Sequence, residues 1–90
     1  MQTKVIFRKY NDGQIIALFP QFTNSYNYTV TSYMHIGQHS DADYNHVVNT
    51  TKLATQNEYE SLLSEIKSIY KQEYEIVVTK KAKIKFFAQN

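Results

Sequence analysis

Residues 32–46 read SYMHIGQHSDADYNH and gather all three histidines of the chain with two aspartates, a glutamine and two tyrosines. Imidazole and carboxylate together bind zinc, manganese or iron, so His35, His39 and Asp43, with Asp41 and His46 nearby, form a candidate metal or catalytic centre. The spacing, H-x3-H-x-D-x-D-x2-H, matches no strong metal-binding signature. A local reading accounts for most of it. Ser40-Asp41-Ala42-Asp43 has the form of a capping box, a hydroxyl followed three residues later by an acid, so Ser40 is expected to cap a short helix. Asp41 and Asp43 then sit in its first turn, where the helix dipole favours acids, and His46 near its other end, where a cation is welcome. Gln38 and His39 are left over in the loop joining strand to helix, where a scaffold presents binding groups. With Tyr33 and His35 at the end of the preceding strand, they make the expected contact surface for a partner.

The elements that must position these groups follow from periodicity. Residues 4–10 (KVIFRKY) and 14–19 (QIIALF) are β-branched and aromatic runs flanking Asn11-Asp12-Gly13, which predicts a β-hairpin. Pro20 has no N–H for a ladder, so the second strand should end or lie at an edge there, and QFTNSYN should be a loop. From residue 28 to 36 the chain alternates, with Tyr28, Val30, Met34 and Ile36 on one face and Thr29, Thr31, Tyr33 and His35 on the other, and Gly37 breaks this third strand. Tyr44, Val47 and Val48 give the short helix one apolar side. Thr55-Gln56-Asn57-Glu58 repeats the capping pattern before a longer helix with Tyr59, Leu62, Leu63, Ile66, Ile69 and Tyr70 on its apolar stripe. Tyr74, Ile76 and Val78 alternate in a fourth strand, which Ile84, Phe86 and Ala88 either continue or follow as a fifth. The order β-β-β-α-α-β predicts an α+β fold, a two-layer sandwich with an antiparallel sheet of four or five strands and helices on one face.

Length and composition bound the rest. A chain of 90 residues is one domain, spanning 1–90 with a Lys-rich C-terminal strand or tail at 80–90, and buries only about 60% of its unfolded surface. Having no cysteine, it has neither disulfides nor a thiolate site, which fits a reducing cytoplasm. The opening MQTKVIFRKY lacks the apolar run of a signal peptide, and no membrane span is expected. No cofactor is implied.

A net charge of +2 does not announce a polyanion partner, but its distribution is uneven. Arg8, Lys83, Lys85 and Phe87 could share a sheet face with Tyr33 and His35, giving an alternative reading as a nucleic-acid-binding module that stacks bases and pairs phosphates. Lysines on edge strands also serve as the ordinary guard against edge-to-edge pairing. Nucleophilic catalysis finds no Gly-x-Ser-x-Gly elbow, and Gly13 and Gly37 alone cannot build a phosphate-cradling loop. A metal-dependent enzyme is the second alternative, and the chain leans away from catalysis. Its thirteen aromatics (eight Tyr, five Phe) exceed what a thin core hides, which implies a homodimer through the sheet face or C-terminal strand, with Phe86 or Phe87 in contact.

Residues 5–9 (VIFRK), 17–20 (ALFP), 33–40 (YMHIGQHS) and 54–59 (ATQNEY) together resemble segments of small uncharacterised proteins encoded by phages and mobile elements of gut bacteria. The likeness reaches to about residue 70 and departs at residues 23–27 and in the Lys-rich tail. It implies an accessory protein that acts on host machinery or defence, and with the residue reading above the expectation is a non-catalytic protein of a bacterial host's cytoplasm that binds a host protein or small ligand. Tyr33, His35, Gln38 and His39 are the residues expected to make the contact.

Overall fold

The hairpin forms as its residues dictate, from β1 (Gln2–Lys9) and β2 (Ile15–Asn24), in a computed structural model that describes residues 2–35, 38–70 and 75–84. Its three-residue loop is closed by the Tyr10 N–H donating to the Gln14 carbonyl at 2.9 Å, and Gly13 supplies the left-handed residue that such a loop needs, with φ +90°. β3 (Thr29–Met34) and β4 (Gln38–Ala42) follow, then α1 (Tyr44–Thr50), β5 (Lys52–Leu53), α2 (Gln56–Tyr70) and β6 (Glu75–Val78). The strands make a six-stranded sheet in the order β4-β3-β2-β1-β5, with β6 also pairing to β1. All pairings are antiparallel except β6 with β1, because α2 returns the chain so that β6 runs alongside β1 in the same direction. The α+β class and the mainly antiparallel sheet are those the sequence implies.

Alternation along β1 decides what covers each face. Val5 and Phe7 join Ala17, Phe19, Tyr33, Leu62 and Ile66 in one core, beneath α2. Ile6 points the other way and joins Ile16, Leu18, Val30 and Val47, so α1 and the segment carrying Ala82 and Ile84 lie against the opposite face. The expectation of helices on one face holds for α2, while α1 covers the other. The sheet core is thereby buried on both sides.

Three local expectations need correction. β2 does not end at Pro20: the ladder shifts register between Phe19 and Thr23, a bulge that accommodates a residue without an N–H, and the strand resumes to Asn24. There the Lys4 N–H is satisfied by the Gln21 side-chain carbonyl at 2.7 Å. Residues 38–42 form a strand paired to β3 rather than a helix start, so Ser40 is not a cap. Asp43 takes that role, accepting the His46 N–H at 3.2 Å, with His46 in the first turn of α1. Beyond β6, residues 79–84 form no strand, and the expectations for Ile36, Gly37, Tyr74, Phe86 and Ala88 fall outside the described residues. No helix among the described residues is long and apolar enough to cross a membrane.

Arg8 fixes α1 to the sheet. Its Nη2 donates to the carbonyls of Val48 at 2.9 Å and Thr51 at 2.6 Å, and its Nε to Thr51 Oγ1 at 2.9 Å, at the helix end where carbonyls lack partners and a cation is favoured. Arg8→Ala should lower unfolding free energy by about 2–3 kcal/mol in urea titration, and Arg8→Lys should recover little because an ammonium cannot reproduce the planar fork. Thr3 offers the opposite case: it is 2% exposed, and its hydroxyl finds no hydrogen-bond partner among the described residues. Thr3→Val keeps the shape and removes that buried polar atom, so it should stabilise by about 1 kcal/mol in the same titration. A loss of stability would mean the hydroxyl is satisfied.

Candidate functional site

The histidine-rich stretch becomes a seam between the β3–β4 pair and α2. Tyr33 pairs with Ala17 on one side and His39 on the other, all on the α2 face. Tyr33 is 1% exposed, so it belongs to the core and is not a surface for a partner. Its ring meets the His39 imidazole edge to face at a centroid distance of 4.6 Å. His39 Nε2 and the Tyr70 hydroxyl are hydrogen-bonded at 3.0 Å, and His35 Nδ1 lies 3.5 Å from Glu65 Oε1. His39 in β4 and His35 just beyond β3 thus tie the β3–β4 pair to the last turns of α2. Gln38 stands in β4 opposite Met34 rather than in a loop.

The metal alternative is not assembled. His39 shares the α2 face, whereas Asp43 caps α1, the helix of the opposite face, and among the described residues no group of three or more histidines and acids is placed to hold an ion. The nucleic-acid alternative loses Arg8 to the α1 carbonyls and Tyr33 to the core. Lys83 is exposed, and Lys85 and Phe87 lie outside the described residues.

A different concavity forms where the sheet edge forks. β6 pairs with β1 from Gln2 to Val5 and β5 pairs with it at Arg8 and Lys9, which leaves Ile6 and Phe7 between the two partners. The Thr79 N–H donates to the Val5 carbonyl at 2.9 Å and the Ala54 N–H to the Phe7 carbonyl at 3.0 Å, so the two chains leave the edge on either side of Phe7. Between them lies a cleft of about 450 Å³. Phe7 and Tyr59 stack at 4.4 Å with 11° between ring planes, Leu53 and Ala54 stand on one side, and Val78, Thr79 and Lys80 on the other. Leu53 and Val78 remain 42% and 37% exposed. Sequence reasoning missed this site because Lys52-Leu53-Ala54 carries no periodic signal and the fork depends on where two short strands pair.

The cleft's helical wall is held by charge. The Thr55 N–H donates to Glu58 Oε1 at 2.8 Å, the acidic half of the expected capping box, while Glu58 Oε2 is ion-paired with Lys9. No family model matches this chain, and neither a curated protein nor a solved structure matches it.

The Lys9 hydrogen bond first, and the Thr55 N–H second, hold the Glu58 carboxyl well below the usual carboxylate range, at about 2 against an ordinary 4.5. A folded-state value below the unfolded one contributes stability that is complete above the unfolded pKa and lost as pH falls towards the folded pKa. The window therefore runs from about pH 4.5 down to 2. Melting temperatures measured across it should fall less steeply for Glu58→Gln than for the parent, from a lower starting value at neutral pH. Parallel acid limbs would show that the Lys9–Glu58 pair does not form in solution.

Proposed function

We propose that the chain is a non-catalytic binding protein whose ligand enters the cleft at the fork of the sheet. The observation that carries this reading is the cleft itself: its volume of about 450 Å³ lies in the range of small-ligand sites, roughly 300–1,000 Å³, and its lining is apolar with a few polar groups. Leu53 and Val78 stand partly in water at its margin, so covering them releases hydration from apolar surface. The groups suited to acid–base chemistry support a binding role, since His39 engages Tyr70, His35 faces Glu65 and Asp43 caps α1. The resemblance to phage and mobile-element proteins adds a setting to the proposal, an accessory protein in the cytoplasm of a bacterial host. In that setting the ligand is a host metabolite or a side chain of a host protein.

Amide chemical-shift mapping with a panel of small apolar compounds tests the site. Binders should move the amides of residues 53–56, Tyr59 and residues 78–80. Ala54→Phe, which places a ring in the cleft, should weaken the best binder about tenfold while the far-ultraviolet dichroism is unchanged. Shifts confined to the His35–His39 seam, or affinity that Ala54→Phe leaves intact, would assign binding elsewhere.

A further inference from the structure

We infer that the cleft takes a small monocarboxylate with a compact apolar body; this rests on the reading of the cleft as the binding site and adds its ligand class. The sign of the charge comes from Lys80. Among the described residues it is the one charged member of the lining, it is exposed, and no carboxylate pairs with it. Glu58, on the neighbouring turn, does not line the cleft and is neutralised by Lys9. The wall facing Lys80 is the first turn of α2, with Thr55 and Gln56, and a helix start contributes partial charge of the same positive sign. An anion is therefore complementary and a cation is not.

The number of charges argues for a carboxylate over a phosphate ester. A single lysine matches one negative charge, and among the described residues the lining has no second cation and no glycine-rich loop to cradle a dianion. Gln56 adds a side-chain amide donor around that point, whereas the Thr79 hydroxyl donates to the Lys81 carbonyl and Thr55 is engaged with Glu58. The apolar body is set by what lies beneath: the stacked rings of Phe7 and Tyr59, with Leu53 and Val78 at the margin. A single aromatic ring or a short alkyl chain can contact these side chains while its carboxylate stays at the wet, Lys80 side.

Matched pairs of probes separate charge from shape: phenylacetate against phenylacetamide, and hexanoate against hexanamide, each titrated at low salt into the whole chain and followed by amide shifts. The acids should bind about fivefold more tightly than their amides, with shifts at residues 53–56, Tyr59 and residues 78–80, and the preference should shrink as salt is added. Lys80→Gln should erase the preference. Lys83→Gln, also exposed but not part of the lining, should retain it. Acid and amide binding equally in the cleft, or a preference that survives Lys80→Gln, overturns the carboxylate and leaves the cleft as a neutral apolar site. No shift in the cleft from either member of each pair overturns the ligand class and the binding reading together.

Discussion

Val5, Ile6 and Phe7 are consecutive in β1 and all are nearly or fully buried, so both faces of this strand require a cover. One helix cannot meet that requirement, because successive side chains of a strand point to opposite faces. α2 brings Leu62 and Ile66 to the Val5–Phe7 side, and α1 brings Val47 to the Ile6 side. The two helices differ greatly in self-sufficiency. α2 has 15 residues and two fully buried core side chains, whereas α1 has seven residues and one. A seven-residue helix is too short to persist in water alone, so α1 exists because the sheet holds it.

The two residues that finish β1 do that holding. Arg8 and Lys9 are neighbours and therefore point to opposite faces, and each captures the helix of its own side. Arg8 binds the carbonyls at the C-terminal end of α1, and Lys9 binds Glu58 at the N-terminal end of α2. Both contacts place charge where a helix end favours it: a cation against the α1 carbonyls, and an acid, steadied by Lys9, in the first turn of α2. The same pair explains why Arg8 and Lys9 are poor indicators of a polyanion partner, since their charge is committed to the helix ends.

The parts legible in the sequence are those fixed by neighbours in the chain. The residue 11–13 loop, the acidic half of the Thr55–Glu58 capping pattern and most of the α2 stripe are local and form as the sequence implies, while Ile69 of that stripe stays 44% exposed. Residues 38–43 were ambiguous because Ser40 and Asp43 each suit a helix cap, and the choice was made by pairing with β3, a contact invisible locally. Once residues 38–42 lie along β3, with the Ser32 hydroxyl donating to the Ser40 carbonyl, only Asp43 remains to begin a helix. A signal for two-sided burial was present: the runs VIF and IIALFP are continuous rather than alternating, as expected of strands covered on both faces. Tyr33 is buried for the same reason, because β3 is covered on both faces, with Tyr33 in one core and Val30 in the other.

The cleft is the remaining consequence of crowding both faces onto one short central strand. β1 has eight residues, and its outer edge is shared between β6 with four and β5 with two, neither long enough to cover it alone. They also approach in opposite senses, β6 parallel and β5 antiparallel, so they cannot join into one continuous partner. A gap at Ile6 and Phe7 follows from that mismatch. The ring of Phe7, stacked on Tyr59, fills part of the gap from the α2 side, and the remaining space opens to solvent between Leu53 and Val78. Extending β5 or β6 by two residues would close the edge and bury both side chains. The open fork therefore leaves apolar surface in water that a longer strand would cover, and a ligand seated there supplies the contacts that the missing strand residues do not.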